Sequence, residues 1–305
     1  MQAVDPNIVL VAVGVNEVGR SSGADFYPWN KRVLMIVNDA IDYLSAHHYV
    51  PGAEFLQALD KKPSDEELYY PIVGFSEEMK HILAENIRVL DCFSSRKRID
   101  LAYDEWNVSI NGLEENYLLR DGLYVAGMFH AFFLFPERVR ITNIAQLVNA
   151  LGVISTNETS VLLTPLYWAF KLYRDHFGSI LLESGVECDT FSIPSIGAIS
   201  ENEAIPLLDA AASCDEEGKK IFLAVINRHR SEPIETQIEV LGVPVETGVK
   251  KYELNGCDAL DTNSFEQPSR VRVRSSFVDE AGNKFIHLFL PHSVSILEFR
   301  VCTKE

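Results

Sequence analysis

The hydrophobic period of the chain changes near residue 190, and that change limits the fold more than any other feature. Before it, strand-like and helix-like patterns alternate. IVLVAVG (8–14) is a continuous apolar, β-branched run, as in a strand buried on both faces. VLMIVNDAIDYLSA (33–46) carries apolar residues at helical spacing, with a short strand ending YLSAHHYV (43–50). SEEMKHILAENIRVLDCF (76–93) predicts a helix with Ser76 as N-cap and two glutamates in its first turn. LAYDEWN (101–107) follows as a strand, and YLLRDGLYVAGMFHAFFLF (117–135) as a mostly buried helix. VRITNIAQLVN (139–149) is another strand. TPLYWAFKLYRDHFG (164–178) has Thr164 as N-cap, Pro165 at the first helical position and Gly178 past the end. Strand, helix, strand, helix predicts a parallel sheet covered by helices. A closed (β/α)8 barrel takes eight such units, and about four are legible here. The sequence pattern leaves two options, a small open α/β sheet or part of a barrel.

Beyond residue 190 the pattern is short strands at even spacing: 221–228, 236–242, 271–278, 285–290 and 293–301. DEAGNK (279–284) has the composition of a hairpin turn. This half predicts an antiparallel β-sandwich. The fold class is therefore α/β plus all-β, with a division at 1–185 and 186–305.

Composition narrows the function. Acidic residues outnumber Lys and Arg 44 to 27, for a formal charge of −17. Nucleic acid and anionic membranes bind through clustered cations, so neither is expected as a partner. A neutral sugar is compatible. No apolar run reaches the roughly 18 residues of a membrane span, and MQAVDPNIVLVAVG lacks the features of a signal peptide. Five scattered cysteines without a CxxC pair signal neither a zinc site nor a disulfide framework. They fit a reducing compartment, and a cytoplasmic location is the expectation. Asn107-Val-Ser and Asn157-Glu-Thr match glycosylation sequons, read here as chance matches.

The acid pair Asp104-Glu105 ends what reads as a buried strand. Burying an unpaired charge is costly. The run therefore holds either a catalytic carboxylate or a structural ion pair. His47-His48 reads as a surface or internally bonded histidine pair; no further ligands mark it as a metal site.

DEWN (104–107), the helix LLRDGLYVAGMFHAF, the strand IAQLVNALGVIST (144–156) and SAHHY (45–49) together resemble the C-terminal half of the α-L-arabinofuranosidases of glycoside hydrolase family 51. VDPNIVLVAVG (4–14), NGCDALDTNSFEQPSRV and LPHSVSILEF extend the resemblance, in order, over nearly the whole chain. It implies strands five to eight of a (β/α)8 barrel followed by a jelly-roll-like β-sandwich. It implies that Glu105 is the nucleophile of a retaining glycosidase, with Asp104 structural and Trp106 packed behind the strand. It implies that His47, Tyr49 and Gln146 bind the sugar. No cofactor and no metal are implied. The expected activity is that of a non-reducing-end α-L-arabinofuranosidase on terminal arabinofuranosyl residues of polysaccharides and oligosaccharides. The match departs at Ser109, where the family carries a second tryptophan, so one apolar wall of the sugar pocket is unmatched.

Retaining hydrolysis takes two carboxyls about 5–5.5 Å apart. In the family the acid/base glutamate follows glycine–asparagine at the end of strand four, and the alignment starts here at strand five. The chain reads as lacking the N-terminal half and its acid/base, and as weak or inactive alone. Asn16-Glu17 has the acid/base dipeptide one strand late. Glu17 is either a substitute or a plain loop glutamate. Open sheet edges expose backbone groups and apolar surface, so a second chain completing the barrel, or a homo-oligomer, is expected; a truncated reading frame that still folds is the other option. The alternative to an enzyme is a non-catalytic carbohydrate-binding or structural remnant.

Overall fold

The computed structural model describes residues 3–16, 29–37, 40–93 and 97–302. The first part runs β1 (Val11–Ala12), α1 (Trp29–Val37), β2 (Tyr43–Pro51), α2 (Ala53–Gln57), α3 (Asp65–Phe93), β3 (Asp100–Ser109), α4 (Leu119–Phe133) and β4 (Val139–Ile144). The short pair β5 (Ile154–Thr156) and β6 (Val161–Leu163) and helix α5 (Pro165–His176) complete it. β1 to β4 form one parallel sheet in sequence order. The helix expected over 33–46 ends at Val37, and 43–51 is strand. β2 pairs on both edges, with β1 and β3, so ladder bonds outweigh the helical spacing of its apolar residues.

α3 corrects a second expectation. It starts at Asp65, not after Ser76. Ser64 and Glu67 form a reciprocal capping box: Ser64 N–H donates to Glu67 Oε2 at 2.8 Å, and Glu67 N–H to Ser64 Oγ at 3.3 Å. Pro71 lies inside the helix, in its second turn. Ser76 is instead buried mid-helix, where α3 passes close to α4. A Cβ on Gly127 would lie 2.7 Å from Ser76 Oγ. α5 follows the sequence reading, with Thr164 Oγ1 capping Tyr167 N–H at 3.5 Å.

The remainder is strand: β7 (Ile180–Leu182), β8 (Thr190–Ile193), β9 (Asn202–Pro206), β10 (Leu208–Cys214), β11 (Lys220–Asn227), β12 (Ile234–Glu239), β13 (Val249–Asn255), β14 (Arg272–Val278), β15 (Lys284–Phe289) and β16 (Ser293–Arg300). A six-stranded antiparallel sheet, ordered β14-β13-β16-β11-β10-β7, faces the pair β12-β15. Period-2 alternation buries both faces of the larger sheet. Phe222, Ala224, Ile226, Val294 and Ile296 join the core shared with the helices. Val225, Leu297 and Phe299 pack toward Ile238 and Phe289 of the smaller sheet. The expected 279–284 hairpin is a crossover: β14 pairs with β13, and β15 with β12. The turn composition marks where the strand ends but not its partner.

The two parts interlock. Arg228, fully buried, donates to Ser76 Oγ at 2.8 Å and to Glu77 Oε1 at 3.0 Å of α3, and to Asp209 Oδ2 at 2.5 Å of β10. The β13–β14 connection caps α4, with Leu119 N–H donating to Asp261 O at 2.7 Å and Arg120 N–H to Ala259 O at 2.9 Å.

Candidate active site

The site is built on the register of β2 against β3. Ser45 pairs with Ala102 and His47 with Glu105, so Ala46 alone on β2 faces both Tyr103 and Asp104 on β3. The extra residue is a bulge, and a bulge re-aims side chains. Tyr103 and Trp106 both point to the helices, their rings 5.7 and 5.5 Å from that of Phe132. Asp104 and Glu105 both turn to the opposite face. On β2, Leu44, Ala46, His48 and Val50 are buried, while Ser45, His47 and Tyr49 alternate onto the face of the acids.

There the side chains meet. Tyr49 Oη donates to Glu105 Oε1 at 2.5 Å. His47 Nδ1 lies 3.4 Å from Glu105 Oε2, and His47 Nε2 lies 3.2 Å from Asp104 Oδ1. Ser45 Oγ donates to Asp104 Oδ1 at 2.6 Å. The Glu105 side chain is 40% exposed and that of His47 50%, so the cluster opens to solvent. Burial, then the hydrogen bond to Glu105, raises the Tyr49 pKa and keeps its proton in place as a donor.

The other face of the strands is polar but closed. Asn16 Nδ2 donates to His47 O at 2.8 Å and lies 2.8 Å from His48 Nδ1. Asn16 therefore braces β2 from behind; Glu17 lies outside the described residues. Burial lowers the His48 pKa to about 4, leaving a neutral ring near pH 7. Of the His47-His48 pair, only the first belongs to the site.

Gln146 follows β4 at the same end of the sheet, with its side chain exposed. Among the described residues that side chain makes no hydrogen bond to the Glu105 cluster. Its loop is held from β3: Asn107 Nδ2 donates to Ala145 O at 2.6 Å and Leu151 O at 3.0 Å. Ser109 is buried at the end of β3. In the loop after β3, Glu115 Oε1 accepts Ile110 N–H at 2.5 Å and Asn111 N–H at 2.6 Å. Burial raises the Glu115 pKa to about 7 against those two bonds. Among the described residues no group of three or more His, Cys, Asp or Glu is placed to hold a metal ion. No described helix is long and apolar enough to cross a membrane.

The sequence gives no role to Ser45 or Tyr117, marks Asn107 only as a chance sequon, and gives Asp104 no partner. Ser45 was reachable, since 45, 47 and 49 share one face of a strand. The turn of Asp104 onto that face was not, because a bulge leaves no mark in the hydrophobic pattern.

A parallel sheet joined to a two-sheet β part is the fold that this chain shares with solved α-L-arabinofuranosidases. An α-L-arabinofuranosidase from Thermotoga maritima, solved with arabinose, superposes with a TM-score of 0.83 and 34% identity, covering 97% of this chain and 58% of that one. The GH51 enzyme of Thermotoga petrophila gives 0.82 at 34% identity, over 97% and 59%. Residues 104–293 match the family described as the α-L-arabinofuranosidase C-terminal domain, and the chain belongs to that family. Among curated relatives, an intracellular exo-α-L-arabinofuranosidase of Bacteroides ovatus is 26% identical over 262 residues, 83% of this chain and 49% of its own length. The chain thus spans about half the length of the curated relatives it matches.

Proposed function

We propose that this chain is the nucleophile-bearing part of a retaining α-L-arabinofuranosidase acting on terminal arabinofuranosyl residues of polysaccharides and oligosaccharides. The observation that supports this most directly is the 2.5 Å hydrogen bond from Tyr49 to Glu105, made on a half-open face toward the C-terminal end of a parallel strand. Glu105 is the nucleophile. Tyr49 holds Oε1, and Oε2 is left on the His47 side to attack the anomeric carbon and form a glycosyl ester. His47, Tyr49 and Gln146 contact the sugar. Asp104, engaged by Ser45 and His47, is assigned to holding His47 rather than to proton transfer. The leaving oxygen then takes its proton from a second carboxyl beyond these positions.

In this reading β1 to β4 are strands five to eight of a (β/α)8 barrel, and the β part is jelly-roll-like. The chain divides into units 1–185 and 186–305, with β7 lent by the first to the sheet of the second. The partner expected at the edge of this sheet is a chain completing the barrel, or another copy. An apolar edge supports this, since Val9, Val11 and Val13 beside β2 are 58%, 46% and 71% exposed. The location is cytoplasmic, in keeping with the names of the relatives.

A nitrophenyl arabinofuranoside tests the proposal, because its leaving group departs with little protonation. General acid help contributes about 10²–10⁴-fold on ordinary substrates, so natural arabinan should be cleaved very poorly by the pure chain. The activated substrate should turn over slowly, azide should accelerate breakdown of the ester, and Glu105→Gln should abolish both. Silence with and without azide would contradict the function. Full activity on arabinan would contradict the external proton donor.

A further inference from the structure

We infer that Asn107 and Tyr117 are positioning residues that lock the 145–152 loop, and with it Gln146, in the conformation used at the sugar site; the inference rests on the arabinofuranoside reading of that site. Asn107 lies two residues beyond Glu105 on the same strand and is fully buried. Its Oδ1 accepts Val108 N–H at 2.8 Å, which orients the amide. Its Nδ2 then faces three acceptors: Ala145 O at 2.6 Å, Tyr117 Oη at 2.8 Å and Leu151 O at 3.0 Å. Tyr117 Oη in turn donates to Leu151 O at 3.0 Å. The carbonyl just before Gln146 and the one closing its loop are thus pinned to one side chain.

The loop needs such a clamp. Asn149 and Leu151 have φ of 62° and 52°, a left-handed conformation that non-glycine residues hold only when their surroundings dictate it. Leu151 N–H donates to Leu113 O at 3.2 Å, and Leu151 O also takes Gln146 N–H at 3.1 Å. Val153 N–H donates to Gln146 O at 3.3 Å. Both peptide groups of Gln146 are fixed while its side chain stays exposed. An ordered backbone under a free amide is what a ligand-contacting glutamine requires. The clamp extends to the β part, where Thr262 Oγ1 donates to Tyr117 O at 2.6 Å.

The test pairs kinetics with amide hydrogen exchange on the full chain. Asn107→Ala, and the milder Tyr117→Phe, should speed exchange over 146–154 while the β11 and β16 amides stay protected. With the nitrophenyl arabinofuranoside plus azide, Asn107→Ala should raise KM about tenfold with a smaller change in kcat. Added to Gln146→Ala it should raise KM no further, because both remove the same contact. A KM effect fully additive with Gln146→Ala overturns the inference, as does unchanged exchange over 146–154 in both variants. A parent chain that fails to turn over the substrate overturns the arabinofuranoside reading instead, and the exchange result still decides the lock.

Discussion

His48 and Glu115 change their proton affinity in opposite directions on folding, and each leaves a separate mark on stability. His48 falls from 6.5 to about 4 on burial. Between those values the unfolded chain binds more protons, so this contribution is complete above pH 6.5 and is lost as pH drops toward 4, by about 3 kcal/mol. Glu115 rises from 4.5 to about 7. Its contribution is complete below pH 4.5 and is lost as pH climbs through 7, by about 2 kcal/mol after allowing for partial solvent screening. Urea melts of Glu115→Gln should therefore match the parent near pH 4.5 and gain on it by pH 8. A constant difference across that range would contradict the assignment. Legibility at this scale followed the strand pattern only in part. Glu105 was visible as an acid at the end of a strand run, whereas His47 and Tyr49 were named through the family resemblance alone. Asp104 was misleading, since strict alternation puts it opposite Glu105, and only cross-strand pairing reveals the extra residue.

Elements were legible where local chemistry decides them. α5 has its cap and proline in sequence, and the structure places its first turn accordingly. α3 was read short, with Ser76 taken as its N-cap, although Ser64 and Glu67 carry the true start. β10 escaped notice because its alanines lack strand character; it is a strand because β11 and β7 pair with it. The joint between elements carries its own prediction. Burial would raise the Asp209 pKa, but the charges of Arg228, His130 and Lys80 outweigh it and hold the carboxyl far below its ordinary range. His130 Nδ1 is 3.3 Å from Asp209 Oδ1, and its Nε2 is 2.6 Å from Tyr173 Oη. Arg228→Met takes from Asp209 its buried cation at 2.5 Å and leaves Lys80, 2.8 Å from Glu77 and 4.0 Å from Asp209, as the cation the two carboxylates still share. A denaturant titration should show a loss of about 3–5 kcal/mol. A loss under 1 kcal/mol would mean that the joint is not held by this ion pair.

At the scale of the whole molecule, the six-stranded sheet is the common wall, with helices on one face and β12-β15 on the other. The two-part plan was legible from the change of period. The pairing of distant strands was not, because period-2 alternation names a face and never a neighbour. The exposed valines around β1 sit close in sequence to α1, whose Met35 and Ile36 are 74% and 82% exposed. Sedimentation of the pure chain should show self-association that Val13→Glu with Ile36→Glu reduces. A monomer unaffected by both changes would remove the support for a partner at this edge.

If Glu105 is the nucleophile, it carries the sugar as an ester between the two steps. Brief reaction with the nitrophenyl arabinofuranoside, acid quench and peptide mass mapping would read it directly. One pentosyl adduct is expected, on the peptide containing Glu105, lost on azide treatment and absent from Glu105→Gln. An adduct on any other carboxylate, or turnover in Glu105→Gln equal to that of the parent chain, would contradict it.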